Sequence, residues 1–215
     1  MAKPKGGAVL QRFARKERGT PLPISSHTVL LRDGTTAHAQ LINLSNADVP
    51  DRSYYAEIVG VHHEDRTVRF MFAQPKLGMH LLRSLVIVSM TEAAAMHFIT
   101  SLKRIKNPSL EEIARQHDIA AGVVSPMPSE EPEQTAGLVA NMAAVAIHGN
   151  ESCIDFYHAS AFSHLAAKDT NQMYLEPVVR VNLDTTLLLA LMQRLDDLKG
   201  SFHPQALVAE EVKDD

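Results

Sequence analysis

The feature that most constrains this chain is an internal repeat. The stretch "LVIVSMTEAAAMHFITSLKRI", residues 85–105, lies over "VVRVNLDTTLLLALMQRLDDL", residues 178–198, without a gap. In both, an apolar alternating run ends in a residue suited to cap a helix, Thr91 or Asp184. Such a side-chain oxygen accepts a hydrogen bond from a free amide of the first turn. A helix with an apolar stripe follows in each case, and Met96 aligns with Leu189 and Leu102 with Leu195. Upstream, "YYAEIVGVHHEDRTVRFMF" answers "LVANMAAVAIHGNESCIDFY": Ala56 meets Ala140, Val61 meets Val145, and Phe70 and Phe72 fall near Ile154 and Phe156. Each copy reads as strand, turn, strand, strand, helix.

A unit of that kind covers one sheet face with its helix and leaves the other face, or an edge, for something else. Two copies can satisfy each other as a pseudo-symmetric pair. The expected fold is therefore α+β: tandem β-β-β-α repeats, with antiparallel sheets packed on one helix each, plus an N-terminal hairpin. The hairpin follows from Asp33-Gly34 between two aliphatic and β-branched runs, a strong turn signal; it is expected to add strands to the first copy. The expected organisation is a flexible basic arm (1–26), a first unit with the extra hairpin and a connector helix (27–122), and a Pro- and Glu-rich linker (123–136). A second unit (137–202) and an acidic tail (203–215) complete it. The region 159–173 reads as a loose insertion.

Composition narrows the class. Of 215 residues, 45% are apolar, enough for an ordinary globular core. The net charge of −4 gives no bulk attraction to nucleic acid or anionic membrane. No apolar run approaches the roughly eighteen residues of a spanning helix, and the basic start lacks the apolar core of a secretion signal. With Cys153 as the sole cysteine, no disulfide can form within the chain, and a reducing cytoplasm is the expected location.

At this point the second unit resembles a small bacterial and archaeal domain family of unknown function. Its members read Tyr-Ala-Asn, a few apolar residues, His, a strand with Asp-Phe, an Arg-containing strand, and a helix opening near Thr-Pro. Ala140-Asn141, His148, Asp155-Phe156 and Arg180 match. Val139 stands for the Tyr, Asp184-Thr185 for Thr-Pro, and 159–173 is inserted. The first unit matches more faintly, through Tyr55-Ala56 and its helix. The resemblance implies a stand-alone cytoplasmic domain and no particular activity. The order of strands and long helix is also similar to that of SecB-like export chaperones.

Few residues point to chemistry. Eleven histidines invite a metal reading, but zinc needs three or four converging ligands at short fixed spacings, and none is present. His158 and His164 flank a loop with Asp155 nearby on a strand, and His148, Asp155 and His158 would serve a metal-dependent hydrolase. Cys153, on a strand with Asp155 on its side, reads as packing rather than as a nucleophile. "SLEEIARQHDIAAGVVSP" imitates the start of a helix-turn-helix, yet Pro126, Pro128 and the glutamates beyond stop any recognition helix. No cofactor is expected.

Two sites remain. Leu187, Leu188 and Leu191 crowd one helix with more apolar side chains than one face hides, and Asn141 and Arg180 are polar residues on strands, where Asn is disfavoured. These five are the candidate partner-binding residues. Lys3, Lys5, Arg12, Arg15, Lys16 and Arg18 form a basic arm that could meet nucleic acid with steep salt dependence. The sequence thus points to a non-enzymatic protein-binding or assembly module, scaffold or chaperone-like, that self-associates. A nucleic-acid-associated protein and a hydrolase are the alternatives.

Overall fold

A computed structural model describes residues 19–30, 36–75, 82–105 and 136–203. The basic arm through Arg18, the segment 109–126 and most of the Pro/Glu linker lie outside the described residues. What is described falls into two compact units, residues 19–49 with 157–177 and residues 50–156 with 178–203.

The smaller unit contains β1 (Pro21–Leu30), β2 (Thr36–Ile42) and a short 3-10 turn at Leu44–Asn46. The chain returns there as the helix Ala161–Thr170 and as the short strand Gln172–Tyr174. β1 pairs antiparallel with β2 from Ile24↔Ile42 to Leu30↔Thr36, and with Gln172–Tyr174 from Pro21↔Tyr174 to Pro23↔Gln172. The hairpin signalled by Asp33-Gly34 is present, but its sheet is completed by residues 172–174 rather than by the first copy. The strand also begins at Pro21, inside the stretch expected to be a flexible arm. Leu22 and Ile24 alternate inward and are buried, and Thr20 is tied to Asp48 through its amide and its hydroxyl, at 3.0 and 2.8 Å. Gly19 has φ +102°, and a Cβ there would meet the Leu175 carbonyl. The 159–173 insertion is a capped helix: the Ser160 hydroxyl accepts from the Ser163 amide, and Asn171 closes the helix in the left-handed region.

The larger unit holds both copies of the repeat. The first consists of β3 (Ser53–Ala56), β4 (Ile58–Glu64), β5 (Thr67–Pro75), β6 (Leu82–Thr91) and α1 (Glu92–Lys103). The second consists of β7 (Ala136–Val139), β8 (Met142–His148), β9 (Glu151–His158), β11 (Glu176–Asp184) and the helix α3 (Thr185–Lys199); Gln172–Tyr174 is β10 and Ala161–Thr170 is α2. Each copy is therefore β-β-β-β-α, with a short first strand that the sequence reading had merged into the next.

That first strand belongs to the other copy's sheet. One sheet has the order β4-β5-β6-β7 and the other β3-β11-β9-β8. β7 lies parallel to β6, Val86↔Ala136 through Ser89↔Val139; β3 lies parallel to β11, Arg180↔Ser53 through Leu183↔Ala56. Ser89 aligns with Asn182 and Val139 with Tyr55, so the two registers are one register repeated. The sheets are thus mixed, not antiparallel throughout. The exchange occurs at Ala56-Glu57 and Ala140-Asn141, where the strand breaks and the chain passes to the other sheet. Both alanines are 1% exposed; a larger side chain would have no room at that crossing.

The helices interlock the copies in the same way. α1 packs on β5 and β6 and also against β8; α3 packs against β4, and the two helices lie on one another. Thr91 caps α1 through the Ala94 amide at 3.3 Å, and Asp184 caps α3 through the Thr186 amide at 2.7 Å. Between the sheets lies one apolar core, filled by alternate residues of each strand, Val68, Phe70 and Phe72 among them, and by Leu188, Leu191 and Leu195 of α3. Phe156 of the second copy sits among three phenylalanines of the first, with centroids 6.0 Å from Phe70, 5.9 Å from Phe72 and 6.2 Å from Phe98. Tilted rings at such spacings attract beyond the area they bury.

Candidate functional site

Where the two copies depart from their own symmetry, the fold does not dictate the residues. Three such places stand out in the larger unit.

The first is the strand β8, Met-Ala-Ala-Val-Ala-Ile-His, which forms an edge of its sheet among the described residues. Ala143, Val145 and Ile147 face the core but are only partly buried. Their counterparts on β4 begin with Val59 and Val61, which are buried. β4 ends in His62, His63 and Glu64, whereas β8 carries no formal charge up to His148. Edge strands usually carry charges, prolines or bulges that discourage further pairing; β8 has no proline and no formal charge.

The second is the face of the β3-β11-β9-β8 sheet turned away from the core. Alternation puts Ile154 and Phe156 inward and Cys153 and Asp155 outward. Arg180 meets Asp155 there in a two-point pair, Nε to Oδ1 and Nη2 to Oδ2, both at 2.6 Å. That geometry is the strong, planar form of the interaction. Asn182 donates from Nδ2 to the Ser53 hydroxyl at 2.7 Å. In the first copy the aligned pair is Met71 and Ile87, both buried and directly opposite in the β5–β6 ladder. One copy has an apolar pair at this place, and the other has an ion pair.

The third lies where the end of α3 reaches the start of α1. The His63 ring stands between two oxygens: Nε2 is 2.7 Å from Glu92 Oε1, and Nδ1 is 3.1 Å from Ser201 Oγ. The Glu92 carboxylate also accepts from the His203 amide at 3.3 Å. Phe202 packs on the imidazole with a centroid distance of 5.1 Å. The aligned residues of the second copy are Ile147 and Thr185. Thr185 is held instead by the Ser152 hydroxyl at 2.8 Å and by the Gly149 carbonyl at 3.0 Å. The backbone is the same in both: Glu92 N–H donates to Arg66 O, and Thr185 N–H to Asn150 O.

The residues singled out from sequence separate accordingly. Leu188 and Leu191 are 0% and 1% exposed, so they fill the core and do not form a docking face. Leu187 is partly buried and packs on the same core. The helix α3 packs against β4 and α1 of the other copy, which gives its apolar side chains partners within the chain. Arg180 and Asp155, assigned to different roles from sequence, are partners. Asn141 stands at the bend where the chain crosses between sheets. His148 is exposed at the end of β8 and His158 half-buried at the end of β9. Among the described residues, no group of three His, Cys, Asp or Glu side chains is placed to hold a metal ion.

The sequence reading missed Glu92 and Ser201. Glu92 follows the Thr91 cap and reads as an ordinary first-turn acid; Ser201 follows the helix and reads as tail. The signal available was the repeat itself, because His63 over Ile147 and Glu92 over Thr185 are polar residues opposite apolar or neutral ones. No helix among the described residues is long and apolar enough to cross a membrane. Comparison with protein-family models, with curated proteins and with solved structures finds no match.

Proposed function

We propose that this chain is a cytoplasmic assembly module that self-associates through the edge strand β8. The observation that supports this is the position of β8 at a sheet edge among the described residues: seven residues, no formal charge, and a core that runs out to it incompletely covered. The chain already completes both of its four-stranded sheets by adding a strand from elsewhere in the sequence, and a second molecule extends the same principle. Strand addition supplies backbone hydrogen bonds and leaves specificity to the alternating side chains.

The occupant is a second copy of the chain. An antiparallel pair about a twofold axis at Val145 sets Ala144 opposite Ala146, Ala143 opposite Ile147 and Met142 opposite His148. Contacts of this kind are self-complementary, as a twofold interface requires. No like charges meet, and small residues face each other on the outer side. Two four-stranded sheets become one continuous sheet, and Ala143, Val145 and Ile147 become core. The resemblance to stand-alone cytoplasmic domains and the lone thiol agree with this setting.

Light scattering on the purified chain tests the reading. A mass of two chains, reduced to one by Ala146→Lys with unchanged circular dichroism, supports it. A single-chain mass at every concentration, or a larger assembly indifferent to that substitution, overturns it.

A further inference from the structure

Beyond assembly, we infer that Ser201, His63 and Glu92 form a nucleophilic site that accepts acyl groups from small carboxylic esters. A serine hydroxyl becomes a nucleophile when a base lies within hydrogen-bond reach and a third group fixes that base. Both conditions are met here. The carboxylate of Glu92, 6% exposed, can only accept when ionised, so a ring nitrogen 2.7 Å away must carry the hydrogen. That places the hydrogen of neutral His63 on Nε2 and turns the Nδ1 lone pair toward Ser201 Oγ at 3.1 Å. Compared with the usual serine triad, the ring is turned end for end, but each group keeps its role.

Access and support are also present. Ser201 is exposed, while the His63 side chain is 16% exposed. The neighbouring Gly200 has open space where a Cβ would lie, so a small acyl group can approach beside it. Phe202, buried, braces the ring from the side. The Leu198 carbonyl lies 2.6 Å from Ser201 Oγ and already accepts the Ser201 amide at 2.9 Å. The hydroxyl therefore has two acceptors, the carbonyl and Nδ1, and rotating its hydrogen from the first to the second costs the carbonyl only its extra partner. Nor does the fold require these polar groups. The second copy makes the same junction with Ile147 and Thr185, and burying a histidine and a carboxylate is unfavourable unless they are paired.

In the reaction, Oγ attacks the ester carbonyl carbon and its proton passes to His63 Nδ1. The tetrahedral adduct collapses, the alkoxide leaves with that proton as an alcohol, and the acyl group remains on Oγ. Water, deprotonated by Nδ1, then attacks the acyl-serine and releases the acid, and the proton returns to Oγ. Glu92 touches no substrate and is a positioning residue.

The test uses the full chain and a fluorophosphonate probe, which forms an Oγ–P bond as fluoride leaves. Folded protein should gain one adduct per chain, mapped by peptide mass spectrometry to Ser201. The adduct should be absent after Ser201→Ala and at least tenfold slower to form after His63→Gln. p-Nitrophenyl acetate should leave a transient acetyl group on the same residue. Glu92→Gln should change the pH profile of labelling, which loss of a purely structural contact in a still-folded protein would not do. No adduct on Ser201 of the folded wild-type chain overturns the inference, as does an undiminished labelling rate in His63→Gln. If His63→Gln does not fold, an unchanged pH profile in folded Glu92→Gln overturns it instead.

Discussion

Ala56 and Ala140 mark the same step in the two copies. At each, the chain leaves the edge of one sheet and enters the first strand of the other, and each is 1% exposed. The two copies thereby hold each other: β3 completes the sheet of the second copy and β7 that of the first. With only four residues each, these strands owe their place to the shared core more than to their own hydrogen bonds.

Replacing either alanine with leucine should destabilise the larger unit by about 1–3 kcal/mol, the usual cost of extra volume at a packed site. The two positions should behave alike, since their surroundings repeat. Urea denaturation followed by circular dichroism measures this. Tyr55→Ala or Val139→Ala, at exposed positions of the same strands, should change stability by less than about 0.5 kcal/mol.

Phe156 links the copies at the centre of the core. Phe156→Ala should cost about 3–5 kcal/mol, and the loss should appear as one cooperative transition of both copies. Separate transitions for the two would mean that the core does not unite them.

The Asp155–Arg180 pair offers a comparison built into the chain. Asp155→Ala should cost about 2 kcal/mol, because Arg180, about a third exposed, loses two charge-assisted hydrogen bonds. The double change Asp155→Met with Arg180→Ile installs the first copy's residues and should recover most of that loss, as replacing a pair by well-packed apolar groups often does. Thermal melts of the single and double variants decide it.

Local features of the fold were legible in the sequence. The caps at Thr91 and Asp184, the helices after them and the turn between β4 and β5 all depend on neighbouring residues. Asp65 and Arg66 in that turn both have positive φ, as a tight hairpin with the twist of its strands requires. The strand exchange was not legible, because the alternation of "YYAEIVGV" continues across the break at Glu57 and no Gly or Pro marks it. The His63 site was hidden by distance along the chain: its partners are 29 and 138 residues away. The apolar side chains on α3 suggested a partner protein from sequence, whereas the helix packs within the chain against β4 and α1.

The self-association reading has its most direct test in charge exchange across the β8 edge. One variant carries Ala144→Lys with Ala146→Lys, another Ala144→Glu with Ala146→Glu. In the twofold arrangement, positions 144 and 146 face each other, so each variant alone meets like charges and should be a single chain by light scattering. Mixed in equal amounts, the two should form a complex of one chain each, weakened by salt. Two variants that associate as readily as the wild-type chain, or a mixture that stays monomeric while the wild type pairs, would contradict it.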